Sequence, residues 1–148
     1  NKSMMEQVKL RDYQSVDYKE IQELWKKTGV GGSHRGDNQE IIEQSIAMGG
    51  KMIVLEDLNL NRILGTSWIT FDGRRLHLHH IAVDPEVQNM GCGQELTRAS
   101  LEYARNKGYQ IKLEVHQSNK NAIHLYEKLG FKRLGDYDIY IVRDFSEI

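Results

Sequence analysis

The chain has too little cysteine for an internal disulfide and too little net charge to suggest a highly charged partner. Its 148 residues include one cysteine, Cys92, and 20 basic against 21 acidic residues. No apolar run is long enough to span a bilayer, and no secretory signal is evident. The composition therefore excludes a disulfide scaffold and gives no reason to expect nucleic acid or a membrane as partner. We expect one cytoplasmic domain over residues 1–148.

The hydrophobic pattern predicts a mixed order of strands and helices. Alternation or short apolar runs indicate strands at residues 8–12, 52–55, 63–71, 76–83 and 111–115, with a last strand or two at Leu134 and residues 137–142. Apolar residues at helical spacing indicate helices at residues 15–28, 37–48, 91–106 and 122–129, the second starting with a capping pair, Asp37 and Glu40. The order β-α-α-β-β-β-α-β-α-β(-β) includes hairpins too short for parallel crossovers. We therefore expect an α+β fold with a mixed, mostly antiparallel central sheet flanked by helices.

A glycine turn between a predicted strand and a predicted helix is the main functional clue. Gly91 and Gly93 follow the strand that ends at Val83, and their missing Cβ atoms let a ligand approach the backbone closely. The first N–H groups of the following helix have no internal partner and carry partial positive charge. An anion such as a pyrophosphate is favoured at such a place. The pattern predicts a phosphate-binding turn over residues 88–94.

Two blocks resemble the GNAT superfamily of acetyl-CoA-dependent N-acetyltransferases. Gln88-Asn89-Met90-Gly91-Cys92-Gly93 is similar to its Q/R-x-x-G-x-G/A motif, although the family often has Arg or Lys where this chain has Met90. Residues 119–131 are similar to its N-x-x-A-x-x-L-Y-x-x-x-G-F block. The resemblance implies a GNAT-like fold and acetyl-CoA as co-substrate, and no metal is expected. It implies cofactor contacts at Ile81, Ala82, Val83, Gln88, Asn89, Met90, Gly91, Cys92, Gly93, Gln94, Asn119, Ala122 and Tyr126.

Two histidines on the strand before the turn are candidates for a general base. His77 and His79 alternate along the strand, so both are expected on one face, shared with Ile81 and Val83, while His80 faces the other way. Neutral imidazole accepts protons near neutral pH, and the resemblance implies that His77 or His79 acts as the base. Two alternatives remain open. The pair fills a polar sheet surface, or it binds one zinc ion, for which no third ligand is evident.

Three further residues have a chemical and a structural interpretation. The resemblance implies that Tyr126 is the general acid for a departing thiolate, whereas its helical spacing also suits an apolar helix face. Asn119 either hydrogen-bonds the cofactor or caps the following helix. Cys92 could be an acetyl-carrying nucleophile, but its place inside the phosphate turn favours a small packed side chain.

The acceptor side is the least determined part of the sequence. The resemblance implies that the first two helices, their loop and nearby strands form it, with Trp25, His34, Asp37 and Trp68 as candidates. The glycine-rich segment 29–36 suits a gating loop or an ordinary surface loop. We expect a small-molecule primary amine, acetylated directly in a ternary complex. The alternatives are a protein or peptide N-acetyltransferase and a non-catalytic acyl-CoA sensor. The chain is expected to be a monomer, or a homodimer whose last strands pair at an edge.

Overall fold

Five strands form one sheet in the computed structural model, which describes residues 7–148 and all their side chains except that of Ser33. Neighbours in the sheet follow the chain order, and all pairs are antiparallel except the last, which is parallel. The strands are β1 (Val8–Asp12), β2 (Lys51–Asp57), β3 (Arg62–Phe71), β4 (Leu76–Val83) and β5 (Ile111–Leu113). The predicted α+β class with a mixed, mostly antiparallel sheet is confirmed.

Helices cover both faces of this sheet. They are α1 (Tyr18–Thr28), α2 (Gln39–Ala47), α3 (Cys92–Lys107) and α4 (Lys120–Lys128). The first face is covered by α1 and α2, whose Trp25 and Ile42 pack in one cluster with Trp68 of β3. The opposite face is covered by α3, whose Leu96 packs in a second cluster with Leu78 of β4. No helix within residues 7–148 combines the length and apolar character needed to cross a bilayer.

The second helix begins one residue later than its predicted cap. Asn38 has an extended backbone, and its Oδ1 accepts a hydrogen bond from the Ile41 N–H at 2.9 Å. The prediction of Asp37 and Glu40 as a capping pair is wrong. Aspartate and asparagine can both cap a helix. The N-cap is therefore decided by which of them has an extended backbone just before the first helical residue.

The predicted last strands are absent from this structure. Residues 132–143 form no strand, and no backbone hydrogen bond joins them to any earlier described residue. The segment follows α4 after Gly130, whose φ is positive, and it is not paired with β5 in the sheet. Because a strand is stable only against a partner backbone, its strand-like sequence alone does not make it one.

A β-bulge interrupts β4 at His79. Trp68 of β3 lies opposite His80, whereas the next residue of β3, Ile69, lies opposite Leu78. His79 is therefore an extra residue with no counterpart in β3. An extra residue reverses the alternation of side chains beyond it.

The bulge corrects two predictions about which side chains share a face. Ile81 and Val83 pack in the cluster beneath α3, on the face opposite to the histidine pair. His80 does not face away from that pair, because its ring lies 4.6 Å from Trp25 and 6.0 Å from Trp68, on the α1 side. Both predictions are wrong for the same reason: strict alternation was assumed across a position where the strand has one residue too many.

Candidate active site

A gap opens between β4 and β5 at the bulge. Parallel pairing joins Leu76–Val83 to β5 only as far as Leu78, which lies opposite Leu113. Farther along, the Asp84 N–H donates to the Leu64 carbonyl of β3, at 2.7 Å. Because N–H directions alternate along a strand, those of Ile81 and Val83 point away from β3 and into the gap. An extended ligand can pair with such a strand edge.

The turn after β4 is held by a buried carboxylate that sequence reasoning missed. Asp84 is 3% exposed, and its Oδ1 accepts a hydrogen bond from the Glu86 N–H. Its Oδ2 lies 3.5 Å from Lys27 Nζ of α1 and 3.9 Å from Arg62 of β3. The position before Pro85 was the available signal, since an aspartate there commonly caps a turn. These contacts anchor the turn to two elements of the core.

The predicted phosphate turn is followed at once by α3. Gly91 is the N-cap residue in a left-handed conformation, with φ of +92°, and Asn89 is also left-handed, with φ of +65°. The first helical hydrogen bond is donated by Glu95 to Gly91, so the N–H groups of residues 92–94 have no acceptor within the helix. The exposed helix end can therefore receive an anion.

Gly93 is the point at which the turn, β4 and α4 meet. A Cβ built on this glycine would lie 3.6 Å from the Leu125 side chain and 3.9 Å from that of Val83. The neighbouring Cys92 is 1% exposed, and burial raises the pKa of its thiol. The tertiary structure thus brings together the two sequence blocks, which are about 30 residues apart in the chain.

The second block supplies a capped helix and a tyrosine. Asn119 Oδ1 accepts a hydrogen bond from the Ala122 N–H at 3.3 Å and so caps α4. Tyr126 is half-buried, with its ring edge-on to Phe131 at 5.7 Å, and its hydroxyl makes no hydrogen bond to a described residue. Burial raises the pKa of this phenol, which therefore keeps its proton at neutral pH.

The two candidate bases are stacked and have different partners. The rings of His77 and His79 lie 4.3 Å apart and nearly parallel. His79 Nε2 lies 2.7 Å from Thr70 Oγ1, and His77 Nε2 lies 4.0 Å from Glu114 Oε1. Sequence reasoning missed Thr70 and Glu114, because only the pairing of β4 with its neighbours brings them close.

Burial makes both imidazoles poor at holding a proton before reaction. It lowers the pKa of His79 to about 4, with a further contribution from His77. It also lowers the pKa of His77, and the Glu114 carboxylate opposes this effect. Both rings are therefore neutral at pH 7. Within residues 7–148, no three His, Cys, Asp or Glu side chains are grouped as ligands of one metal ion.

Two of the candidate acceptor residues form a buried aromatic layer beneath the histidines. Trp25 and Trp68 are 2% and 3% exposed, and their rings lie 5.9 Å apart. Trp25 Nε1 donates to Thr66 Oγ1, and Trp68 Nε1 donates to Ser45 Oγ. Trp68 also lies 5.0 Å from the ring of His79. The tryptophans therefore underlie this surface and do not project from it.

The glycine-rich segment lies over the same layer. A Cβ on Gly31 would come within 2.9 Å of His80 Nε2 and of the Trp25 ring, and the φ of Gly31 is +54°. Only glycine allows this close approach at position 31.

The other two acceptor candidates follow this glycine in the chain. His34 is exposed and Asp37 is half-buried. Burial raises the pKa of the Asp37 carboxyl, and the positive charges of Arg35 and His34 oppose this effect.

Comparison with known sequences finds a family model that matches most of the chain and relatives that match about half of it. The model of the Acetyltransferase (GNAT) family matches residues 18–131. Mycothiol acetyltransferase from Streptosporangium roseum is 42% identical over 81 residues, which are 49% of this chain and 24% of that protein. The chain therefore spans about a quarter of the length of this relative.

Comparison with solved structures finds the same fold. The structure of yncA from Salmonella typhimurium with its cofactor acetyl-CoA has a TM-score of 0.71 and 20% identity, covering 85% of this chain and 80% of that one. AAC(6')-Iy in complex with the bisubstrate analog CoA-S-monomethyl-acetylneamine has a TM-score of 0.75 and 18% identity, covering 93% of this chain and 99% of that one. At these identities the likeness is one of fold.

Proposed function

The chain belongs to the GNAT family of acetyltransferases, and on this premise we propose that it transfers an acetyl group from acetyl-CoA to a primary amine of a small molecule. The amine attacks directly, within a ternary complex. The observation that carries this proposal is the gap at the His79 bulge, where unpaired strand N–H groups lie next to the N-terminus of α3. One end of such a site suits an extended amide chain and the other suits a phosphate.

The residues around the gap fit acetyl-CoA. The N–H groups of residues 92–94 would receive the pyrophosphate, and those of Ile81 and Val83 would pair with the pantetheine arm. Val83 and Leu125 both lie near Gly93, which supports one site that runs from the strand edge to the helix end. When bound, acetyl-CoA supplies an acetyl group activated as a thioester. An N–H of Ile81 or Val83 would also polarise the acetyl carbonyl.

We assign the general base to His77, with Glu114 as its partner. A neutral imidazole has a free lone pair, and the carboxylate 4.0 Å away stabilises the imidazolium formed when His77 takes the amine proton. His79 Nε2 already lies at hydrogen-bond distance from Thr70 Oγ1. We therefore assign His79 the role of holding the His77 ring through stacking.

Tyr126 supplies the proton that leaves with the thiolate. Its raised pKa keeps the phenol protonated, and its hydroxyl has no partner among the described residues that would compete for the proton. A protonated phenol next to a developing thiolate lowers the cost of that charge. Replacing Tyr126 by Phe should therefore lower kcat without changing the affinity for acetyl-CoA.

A small amine is the acceptor that the site supports best. The surface beside β4 is formed by the stacked rings of His77 and His79, with the buried Trp68 ring beneath that of His79, and such a ring surface suits the short chain of a small amine. Mycothiol acetyltransferase is the name of one similar protein, and AAC(6')-Iy was solved with a CoA-acetylneamine analog. Both names refer to small molecules.

The binding half of the proposal is tested by calorimetric titration with acetyl-CoA. Gly91→Val introduces a side chain at the exposed helix end, and Gly73→Val is its matched control in the β3–β4 turn. Both glycines have φ of +92° and open space around a Cβ, so both variants carry the same backbone strain. We expect wild type and Gly73→Val to bind and Gly91→Val to lose binding. Absence of binding by wild type at millimolar acetyl-CoA would overturn the proposal.

The catalytic half is tested by turnover with a panel of small amines and peptides. His77→Gln should lower kcat by roughly 100-fold or more while acetyl-CoA affinity stays unchanged, because general-base catalysis is lost. His124→Gln, an exposed position of α4, is the control. The acid limb of kcat/KM should have its midpoint below pH 6.5, because the pKa of His77 is lowered. Acetylation of peptides alone would favour a peptide acceptor, and binding without any product would favour an acyl-CoA sensor.

A further inference from the structure

The face of the sheet opposite α3 carries a partly exposed row of polar side chains across β3, β4 and β5. Thr70, His77 and Lys112 lie opposite one another on these three neighbouring strands. The residues on either side of His77 and of Lys112 in the chain pack in the cluster beneath α3, so these two side chains share the other face. Lys112 therefore lies directly beside the residue to which we assign the general base.

Glu114 adds the opposite charge on the same side of His77. It follows Lys112 by two positions, and its Oε1 lies 4.0 Å from His77 Nε2 with the side chain about half exposed. Burial is the main cause of the lowered pKa of His77, Lys112 lowers this pKa further, and Glu114 opposes the shift. One cation and one anion thus both act on the imidazole.

The Lys112 ammonium has no ion-pair partner among the residues that the structure describes, and it is exposed. Its charge also lowers the pKa of Asp72, although the main causes there are the hydrogen bonds that Asp72 Oδ1 accepts from the N–H groups of Arg75 and Arg74, at 2.7 Å each. The side-chain charge of Arg74 acts on Asp72 as well.

The charges on this patch balance. Asp72 and Glu114 contribute two negative charges, and Arg74 and Lys112 contribute two positive ones. A ligand with one positive and one negative group suits such a surface, whereas a dianion would meet an excess of negative charge.

We propose that the acceptor is an amino acid, whose amine lies at His77 and whose carboxylate binds Lys112. The proposal rests on the acetyl transfer proposed above and names its substrate class. Glu114 attracts the arriving ammonium group, and Lys112 donates a charge-assisted hydrogen bond to the carboxylate. Neighbouring strands lie about 4.8 Å apart and the lysine side chain is flexible, so one small molecule can reach both groups.

The proton balance of the transfer is unchanged by the carboxylate. The ammonium loses one proton to water and becomes the free amine. His77 takes a second proton as the bond from nitrogen to the acetyl carbon forms and the C–S bond breaks, and Tyr126 protonates the departing thiolate. The products are the N-acetyl amino acid and CoA.

Steady-state kinetics with amino acids and their primary amides test the proposal, because each pair has the same chain with and without the negative charge. The panel contains the common α-amino acids, β-alanine and γ-aminobutyrate, each with its amide. The measured quantity is the ratio of kcat/KM for the acid to kcat/KM for the amide. Comparing this ratio between variants cancels the difference in amine pKa within a pair.

Lys112→Gln should lower the ratio by about 10-fold or more, chiefly through a higher KM for the acids, because a hydrogen bond to a charged group is lost. Lys112→Arg keeps the charge and should retain most of the preference. Lys9→Gln removes an exposed lysine from β1, at the other edge of the sheet, and should leave the ratio unchanged.

Ionic strength gives a second readout that needs only the wild type and Lys112→Gln. The ratio of the wild type should fall as salt is added, since an exposed charge is screened, and that of Lys112→Gln should not. An unchanged ratio in Lys112→Gln, with amines still acetylated, would overturn this proposal and leave the proposed function standing. A higher kcat/KM for 2-aminoethylphosphonate than for β-alanine would also overturn it. Absence of product from every acid and amide would remove the proposed function and this proposal together.

Discussion

The half-buried histidine at position 80, whose two ring nitrogens are shielded from solvent, should make the fold sensitive to mild acid. The His80 ring packs edge-on against Trp25, and neither ring nitrogen has a hydrogen-bond partner among the described residues. Burial lowers the pKa of His80 to about 4, with smaller contributions from His79 and Arg35. We expect replacement by Phe, which preserves the ring contact and has no titratable nitrogen, to remove this sensitivity.

The size of the effect follows from the two protonation equilibria. The pKa of an unfolded histidine is 6.5, so the unfolded chain binds the proton first as the pH falls. The stability due to neutral His80 is therefore fully present above pH 6.5 and is lost as the pH falls towards 4. Between pH 7 and pH 5 the loss amounts to about 2 kcal/mol of unfolding free energy.

Urea unfolding at pH 7 and pH 5 measures this loss directly. At pH 7, His80→Phe should be at least as stable as wild type, because two unpaired buried nitrogens are removed. At pH 5 the variant should be more stable than wild type by about 2 kcal/mol beyond any difference at pH 7. His124→Phe, at an exposed position of α4, controls for the removal of a histidine as such. Equal pH dependence in wild type and His80→Phe would refute the reasoning.

Two further predictions concern the stability of the fold. Arg11→Met should cost about 3 kcal/mol in thermal or urea unfolding, because it removes the two hydrogen bonds that the buried Asp17 carboxylate accepts from Arg11, at 2.8 and 2.9 Å, and leaves only the one from the Gln14 N–H. Lys26→Met, which breaks an exposed pair within α1, should change the unfolding free energy by less than about 1 kcal/mol; a similar cost for both would contradict this. Gly50→Ala should destabilise by about 2 kcal/mol, because its Cβ would lie 2.5 Å from a backbone oxygen of β3, whereas Gly135→Ala meets no atom within 4 Å. Equal melting temperatures for these two alanine variants would argue against that packing.

The sequence alone predicted most of the architecture, because the positions of helices and strands depend on the local spacing of apolar residues. The spacing of apolar residues predicted the four helices and the five strands that form. The turn at Gly91 and Gly93 was predicted because glycines between a strand and a helix indicate a turn. The second block was recognisable for a similar reason, with Asn119 at the cap and a half-buried Tyr126 within the helix. Each of these features is decided by residues within a few positions of one another.

The tertiary structure decided the parts that depend on residues far apart in the chain. The bulge at His79 is a property of how β4 pairs with β3, and it reversed the predicted faces of His80 and Ile81. Thr70 and Glu114 became partners of the histidines only through the order of strands in the sheet. Residues 132–143 show the same limit, because a strand needs a partner edge and these residues do not supply one themselves. Periodicity determines which segments can form strands and helices, whereas pairing and burial determine which side chains meet.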